Sequence, residues 1–316
     1  MADALAVDTL FDQHRRFLWS LCYRMTGSAA DADDIVQDTF LRVIERPPRR
    51  LDESLRPWLV KVALNRARDV LRSRRRQQYT GPWLPSPVET KSDEPGTIVH
   101  DNAGDPPSHE PASLENRYEL LESVSFAFLI ALEALTPTQR AVLLLRDVFD
   151  YSVRETASAL DLSETNAKTT HHRARQAMSA YDTAPKVPSA QGQAAAAQAL
   201  KQFLRALAAH DVPAIETLLA EEVRATTDGG GEFRSALKTI VGRDKVMRFF
   251  FAVSENAANA RVRMPVLNGM PSVVVDIVAP GPGIAPRTTL TVELDRAGKV
   301  SHLYAVSATR KLTAVR

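Results

Sequence analysis

Cysteine is nearly missing from this chain: Cys22 stands alone among 316 residues. It can form no internal disulfide, which fits a reducing cytoplasm, and its place in a helical apolar run makes it a packing residue rather than a reactive thiol. Long apolar runs are missing too. None approaches the roughly eighteen residues of a membrane span, so no membrane partner is expected. The opening Met-Ala-Asp-Ala-Leu-Ala-Val-Asp has early acids and no basic n-region, so no signal peptide is expected. A net charge of only +2 says little by itself, while an apolar content of 44% excludes disorder throughout.

The charge that is present is unevenly placed. Residues 1–78 sum to +4, 79–117 to −5, 118–182 to −3 and 194–316 to +5. With a length suited to two or three domains, this pattern divides the chain into a basic domain (1–78), a Pro-rich acidic linker (79–116), a helical domain (117–182), a short linker (183–193) and a last domain (194–316).

Between Asp31 and Gln78 an acidic helix gives way to a basic one. In the first, apolar residues at 35/36, 39/40 and 43/44 recur at helical spacing and predict one buried stripe. Asp34, Gln37, Asp38 and Leu41 take the opposite face, and a leucine among acids marks a surface that meets a partner. In the second, from Trp58 to Arg72, the predicted core stripe is Leu59, Val62, Ala63, Arg66/Ala67 and Val70. Lys61, Asn65, Arg68, Asp69 and Arg72 line the other side, and Arg74-Arg75-Arg76 follows. Arginines suit phosphates, whereas Asn and Asp can hydrogen-bond base edges. A basic helix end that merely complements the helix dipole would explain the terminal arginines, but not Asn65 and Asp69.

Asp33-Asp34-Ile35-Val36-Gln37-Asp38-Thr39-Phe40, then Pro57-Trp58-Leu59, then Asn65 through Arg76, resemble region 2 of a sigma-70-family initiation factor of the extracytoplasmic-function group. The resemblance implies that the acidic helix (Asp34, Gln37, Asp38, Leu41) docks on the clamp helices of the RNA polymerase largest subunit. It implies that Asn65, Arg66, Arg68, Asp69 and Arg72 contact the −10 promoter element.

Residues 8–26 read as a further amphipathic helix closing at Gly27-Ser28, and Pro47-Pro48 breaks the chain between the acidic and basic helices. Past Gln78 the linker has no periodicity, yet Trp83 sits between Pro82 and Pro85. A stiff segment docks an aromatic at low entropic cost, which makes Trp83 an anchor candidate. From 117 to 182 the helical pattern returns, with Leu120, Leu121, Val124, Phe128, Leu132 and Leu135 as a stripe. Thr136-Pro137 starts a helix; another runs from Tyr151 to Leu160, turns at Asp161-Leu162, and Ser163 caps a last helix to about Tyr181. Two helices across a tight turn read as a helix-turn-helix. Its last helix turns Ala167, Ala174 and Met178 inward and Thr165, Lys168, Thr169, His172 and Gln176 outward, with Arg173 and Arg175 flanking, a face suited to a major groove. The segment resembles sigma region 4, which reads the −35 element, with His171 standing where the family packs an apolar residue. His171-His172 is no metal site: adjacent helical side chains diverge and no third ligand lies at a helical offset. No metal and no cofactor are expected.

The last domain begins with an alanine-rich helix at 194–209 and another from Asp211. The period then changes to two: 223–227, 261–267, 273–278, 288–294 and 300–306 predict strands of a curved antiparallel sheet, crossed by a helix at 243–252. The order resembles the SnoaL-like members of the nuclear-transport-factor-2-like superfamily, an α+β cone-shaped barrel. Joined to two all-α sigma domains, it resembles the sigma subgroup with such an extension. Two signatures carry this: Trp83-Leu84-Pro85 and Asp228-Gly229-Gly230-Gly231, which the resemblance makes interdomain contacts. A third, Asn-Pro-Asp-Lys-Leu-like, is eroded to Ser307-Ala308-Thr309-Arg310-Lys311-Leu312, which weakens the case for regulation through that segment. His210, Asp228, Asp276 and His302 are polar groups without a spacing that fixes a catalytic dyad, so no enzyme activity is expected.

The reading is an alternative sigma factor, with core RNA polymerase and promoter DNA as partners and the C-terminal domain acting in cis. It does not require a separate anti-sigma factor and does not exclude one. Two rivals stand beside it. One is a helix-turn-helix regulator working without core polymerase; the other is an enzyme of the SnoaL-like kind fused to a DNA-binding unit.

Overall fold

The computed structural model describes residues 2–45, 55–76, 79–90, 122–183, 190–255 and 259–316. The expected break at Pro47-Pro48, Leu120 and Leu121 of the predicted stripe, and most of both linkers lie outside these residues. The chain divides into two compact units, one of residues 1–78 and 96–186, the other of 79–95 and 187–316. No described helix is long and apolar enough to cross a membrane.

In the first unit α1 (Ala2–Thr26), α2 (Ala29–Glu45) and α3 (Arg56–Arg76) pack on one another. Leu18, Leu21, Cys22 and Met25 are fully buried, and enclosure pushes the Cys22 thiol far up. A fully formed helix over the Val124–Leu135 stripe is not what folds. The segment is a 3-10 turn (Glu122–Val124), a short α4 (Phe126–Ala131) and a second 3-10 turn (Leu132–Ala134). Val124, Phe128, Leu132 and Leu135 are nonetheless buried. Helix α5 (Pro137–Asp147) opens with a capping box between Thr136 and Gln139. Helix α6 (Val153–Leu160) has the same device in Ser152 and Glu155. It ends at Asp161, whose left-handed backbone (φ 55°) makes the tight turn into α7 (Glu164–Ala177). The predicted helix to Tyr181 is interrupted at Met178, with one more turn, α8, at Ser179–Asp182.

The second unit starts with α9 (Ala190–Ala208) and α10 (Val212–Leu218), which feed β1 (Leu219–Asp228), a two-residue β2 (Ile240–Val241) and α11 (Arg243–Ser254). Strands β3 (Ala260–Arg263), β4 (Val266–Leu267), β5 (Met270–Ile277), β6 (Arg287–Leu294) and β7 (Val300–Val306) complete it. The described strands form one sheet in the order β2-β1-β7-β6-β5-β3, with β4 paired to β5. Val223, Ala225, Val273, Leu290, Val292 and Leu303 share the face that packs on Leu200, Phe203, Ile215, Val246 and Phe250 of the helices. Helices laid over one sheet make this the expected α+β domain. The sheet departs from the expected all-antiparallel pattern at one ladder, where β1 runs parallel to β7. Those two strands are joined through the rest of the domain, and only such a long connection permits parallel pairing.

Candidate functional site

On α2, Ala32, Ile35, Val36, Thr39, Phe40 and Val43 are buried, and Asp34, Gln37 and Leu41 face solvent. Ile44 was expected in the buried stripe but is 61% exposed, and Leu41 is 54% exposed. Val43 fills the core position, and the next residue, about a hundred degrees further round the helix, is turned outward. Asp34, Gln37, Leu41 and Ile44 therefore share one acidic face with two bare apolar side chains. Asp38 is half-buried and accepts from Arg66 Nε at 2.8 Å.

On α3 the buried residues are Leu59, Val60, Ala63, Leu64, Ala67 and Leu71, which corrects the expected stripe. Val62 and Val70 are only half-buried and Arg66 is exposed. Leucines at 64 and 71 offer more apolar area than the two valines, and the helix rotates to bury them. The outward residues tie to one another. Asn65 Oδ1 accepts from Arg68 Nη1 at 3.2 Å, and Asp69 Oδ1 from Arg72 Nη1 at 3.0 Å. Lys61 Nζ meets Asp161 at 2.5 Å. Of the terminal arginines, Arg74 donates to Thr26 O and to Asp31, and Arg75 to Leu135 O. These two serve packing.

On α7, Ser163 Oγ accepts from Asn166 N, and Ala167 and Ala174 are buried. Thr165, Lys168, Thr169, His172 and Arg173 all stand exposed along one side. His171 explains its own departure from an apolar residue: its Nε2 lies 2.8 Å from Asp147, a buried carboxylate that Arg175 also approaches at 3.4 Å. The pairing fixes α7 against α5.

In the second unit, the linker residues 79–90 are part of the domain. Asp228, 1% exposed, closes β1. Its Oδ1 accepts from Tyr79 Oη at 2.5 Å and Gly230 N at 3.0 Å. Its Oδ2 accepts from Leu84 N at 2.7 Å and from Lys311 Nζ. Lys311 also donates to Leu84 O, with its ammonium over the rings of Trp83 at 4.4 Å and Tyr79 at 4.8 Å. Leu84 and Pro85 are buried. Gly230 and Gly231 have φ of 64° and 76°. A Cβ on Gly230 would stand 2.8 Å from Ala308 Cβ, and one on Gly231 3.3 Å from Thr80, so the turn needs both freedom and thinness. Further along, Val88 N donates to Asn268 Oδ1 at 3.0 Å, and Thr90 N to Val266 O at 3.0 Å. Glu89 forms a bridge with Leu267 and accepts from Arg263 at 2.9 Å.

Reasoning from the sequence found Trp83 and Asp228 and missed Tyr79, Asn268 and Lys311. Lys311 keeps the lysine of the altered third signature, and it is the cation of the cluster. The other polar residues are not brought together. His210 stacks on Phe251 at 5.2 Å, Asp276 holds Arg287 at 2.5 Å, and His302 stands beside Glu293 and Tyr304.

Residues 10–77 match the model of Sigma-70 region 2, and residues 126–178 that of Sigma-70, region 4. The ECF RNA polymerase sigma factor SigJ of Mycobacterium tuberculosis is 33% identical, over 96% of this chain and 92% of that protein. The chain belongs to the extracytoplasmic-function sigma factors. SigG of Mycobacterium tuberculosis is 35% identical over 67% of this chain and 58% of its own length. The crystal structure of M. tuberculosis SigJ superposes with a TM-score of 0.68 at 27% identity, covering 97% of this chain and 98% of that one. The protein is thus an alternative sigma factor, whose two sigma domains imply core RNA polymerase and promoter DNA as partners.

Proposed function

We propose that this sigma factor directs promoter-specific initiation under control of its own C-terminal domain, which acts through its hold on the linker. In this reading Asp34, Gln37, Asp38 and Leu41 seat on the clamp helices of the polymerase largest subunit, and Ile44 extends that surface. Asn65, Arg66, Arg68, Asp69 and Arg72 engage the −10 element, where a base can be captured outside the stack. Thr165, Lys168, Thr169, His172 and Arg173 engage the −35 element.

The observation that carries control in cis is the Asp228 carboxylate, which collects donors from the linker (Tyr79 and Leu84) and from the C-terminal segment (Lys311). Helix α3 ends at Arg76, three residues before Tyr79. The tether between the two DNA-reading domains is therefore gripped almost where it begins. Each domain has modest charge, so useful affinity depends on both engaging one polymerase–promoter complex. That effective concentration is set by the free length of the tether. The test is run-off transcription with reconstituted holoenzyme, comparing the full chain with Trp83→Ala and Lys311→Met. A several-fold change in transcript supports the reading; transcript equal to the unaltered chain in both variants refutes it.

A further inference from the structure

Asp147 closes α5, and two side chains of α7 compete for its buried carboxylate. A carboxylate only accepts, so His171 Nε2 donates to Oδ1, at 2.8 Å. Arg175 follows His171 by four residues and shares that side of α7. Its Nε stands 3.4 Å from Oδ2, beyond the roughly 2.7–2.9 Å of a charge-assisted bond. Neither Arg175 Nε nor Asp147 Oδ2 has a hydrogen-bond partner among the described residues. An arginine that held this carboxylate alone could spend its planar fork on both oxygens. With His171 on Oδ1, that two-bond grip is not made.

Arg175 also lies three residues past His172 and seven past Lys168, so it borders the exposed stripe of α7 as well as the buried one. Its side chain is 41% exposed. An ion pair so open to water contributes little to stability, and exchanging Asp147 for another anion costs correspondingly little. The anion that the exposed side of α7 would meet at a promoter is a DNA phosphate, which a guanidinium fork fits well. A cation in the last turn of α7 also complements the helix dipole, but that role has no use for a histidine at Asp147.

We infer that His171 is a positioning residue for promoter binding: by occupying Asp147 it releases Arg175 to a backbone phosphate of the −35 element. This rests on the reading of α7 as the helix that engages that element. His171 touches no DNA itself. An apolar side chain in its place would return Arg175 to the carboxylate.

The experiment uses holoenzyme reconstituted from the full chain and core polymerase, with a duplex that carries the −35 element and no −10 element. Affinity is measured across a salt series, because the slope of log affinity against log salt counts phosphate contacts, at about 0.9 for each. Arg175→Gln should lower that slope by about 0.9 and weaken binding at low salt. His171→Leu should do the same from a position that faces α5. Adding Asp147→Asn to His171→Leu removes the rival anion and should restore the parent slope. A role confined to packing would lower the melting temperature and leave the slope alone. The inference is overturned if Arg175→Gln or His171→Leu keeps the parent slope, or if Asp147→Asn fails to restore it. Lys168→Ala and Arg173→Ala separate the two levels. If neither weakens binding, the reading of α7 falls and the inference with it. If both weaken it while Arg175→Gln leaves the slope untouched, only the release of Arg175 is overturned.

Discussion

Asp38 on α2 and Arg66 on α3 hold each other, Oδ2 to Nε, at 2.8 Å. A carboxylate assigned to the polymerase surface and a guanidinium assigned to the promoter surface are thus one ion pair. Both side chains are about half-exposed, so the pair contributes about 0–1 kcal/mol to the fold. Arg66→Ala should leave the urea midpoint nearly unchanged and alter core-polymerase affinity by way of Asp38, with Asp38→Ala and the double variant closing the cycle. Were promoter affinity alone to respond, Arg66 would be a DNA contact and its bond to Asp38 incidental.

How far the sequence reached can be judged at such residues. Helical periodicity located α2, α3, α5, α6 and α7, because each buries one stripe against neighbours close in the chain. It misplaced Arg66 and Ile44, since a stripe only two residues wide leaves the rotation of the helix to whichever apolar side chains are larger. The clasp was half legible. Trp83 and Asp228-Gly229-Gly230-Gly231 are odd in their local setting, whereas Lys311 is an ordinary lysine until the fold brings it to a carboxylate 83 positions earlier. Likewise nothing local to β1 and β7 announces that they run parallel.

Leu41 and Ile44 test the polymerase surface more sharply than the acids do. Both are more than half exposed in the free protein, so Leu41→Ala should change thermal stability little. Against core polymerase it should lose about ten-fold in affinity, equivalent to about 1.4 kcal/mol, the scale of burying a leucine side chain. Fluorescence titration with core enzyme measures this, and an unaltered Kd would remove Leu41 from the interface.

The Asp228–Lys311 pair is buried and shared with Leu84 and Tyr79. Removing one partner leaves the other charge enclosed, at a cost of about 3–5 kcal/mol. Lys311→Met should therefore lower the urea midpoint markedly and expose residues 79–90 to protease. Asp228→Asn together with Lys311→Met should be milder than Lys311→Met alone, because no orphan charge remains. A double variant as unstable as the sum of the singles would argue that packing of Trp83, not charge, holds the linker.

Glu293 gives the second unit a pH signature. Burial pushes its carboxyl up from 4.5 to about 7, although Tyr304 Oη donates to it at 3.2 Å. A carboxyl raised in the folded state holds a proton that the unfolded chain releases. Its contribution is therefore complete below pH 4.5 and is lost as the pH climbs through about 7. His302, held low by burial and by Arg224, works in the opposite sense just below its ordinary range. Glu293→Gln should flatten the decline between pH 5 and 7 in chemical denaturation and leave the His302 contribution. A variant profile that still falls like the parent's would place the titrating group elsewhere.

Arg140 is 2% exposed and supplies donors to Met25 O, Leu132 O and Glu133 Oε1 at 2.7–2.9 Å. It binds α1, the 3-10 turn at Leu132–Ala134 and α5 at one point. Methionine would match its length while leaving two enclosed carbonyls unpaired, a cost of about 3 kcal/mol. Lysine could reach one acceptor but not three, having no planar fork. Urea midpoints should fall in the order arginine, lysine, methionine. The slope of the transition adds a second reading: it follows the surface exposed on unfolding. An unchanged slope means the loss is local to the bonds. A shallower one means the first unit has already loosened, which is the outcome expected if Arg140 fastens its two helical halves rather than merely filling space between them.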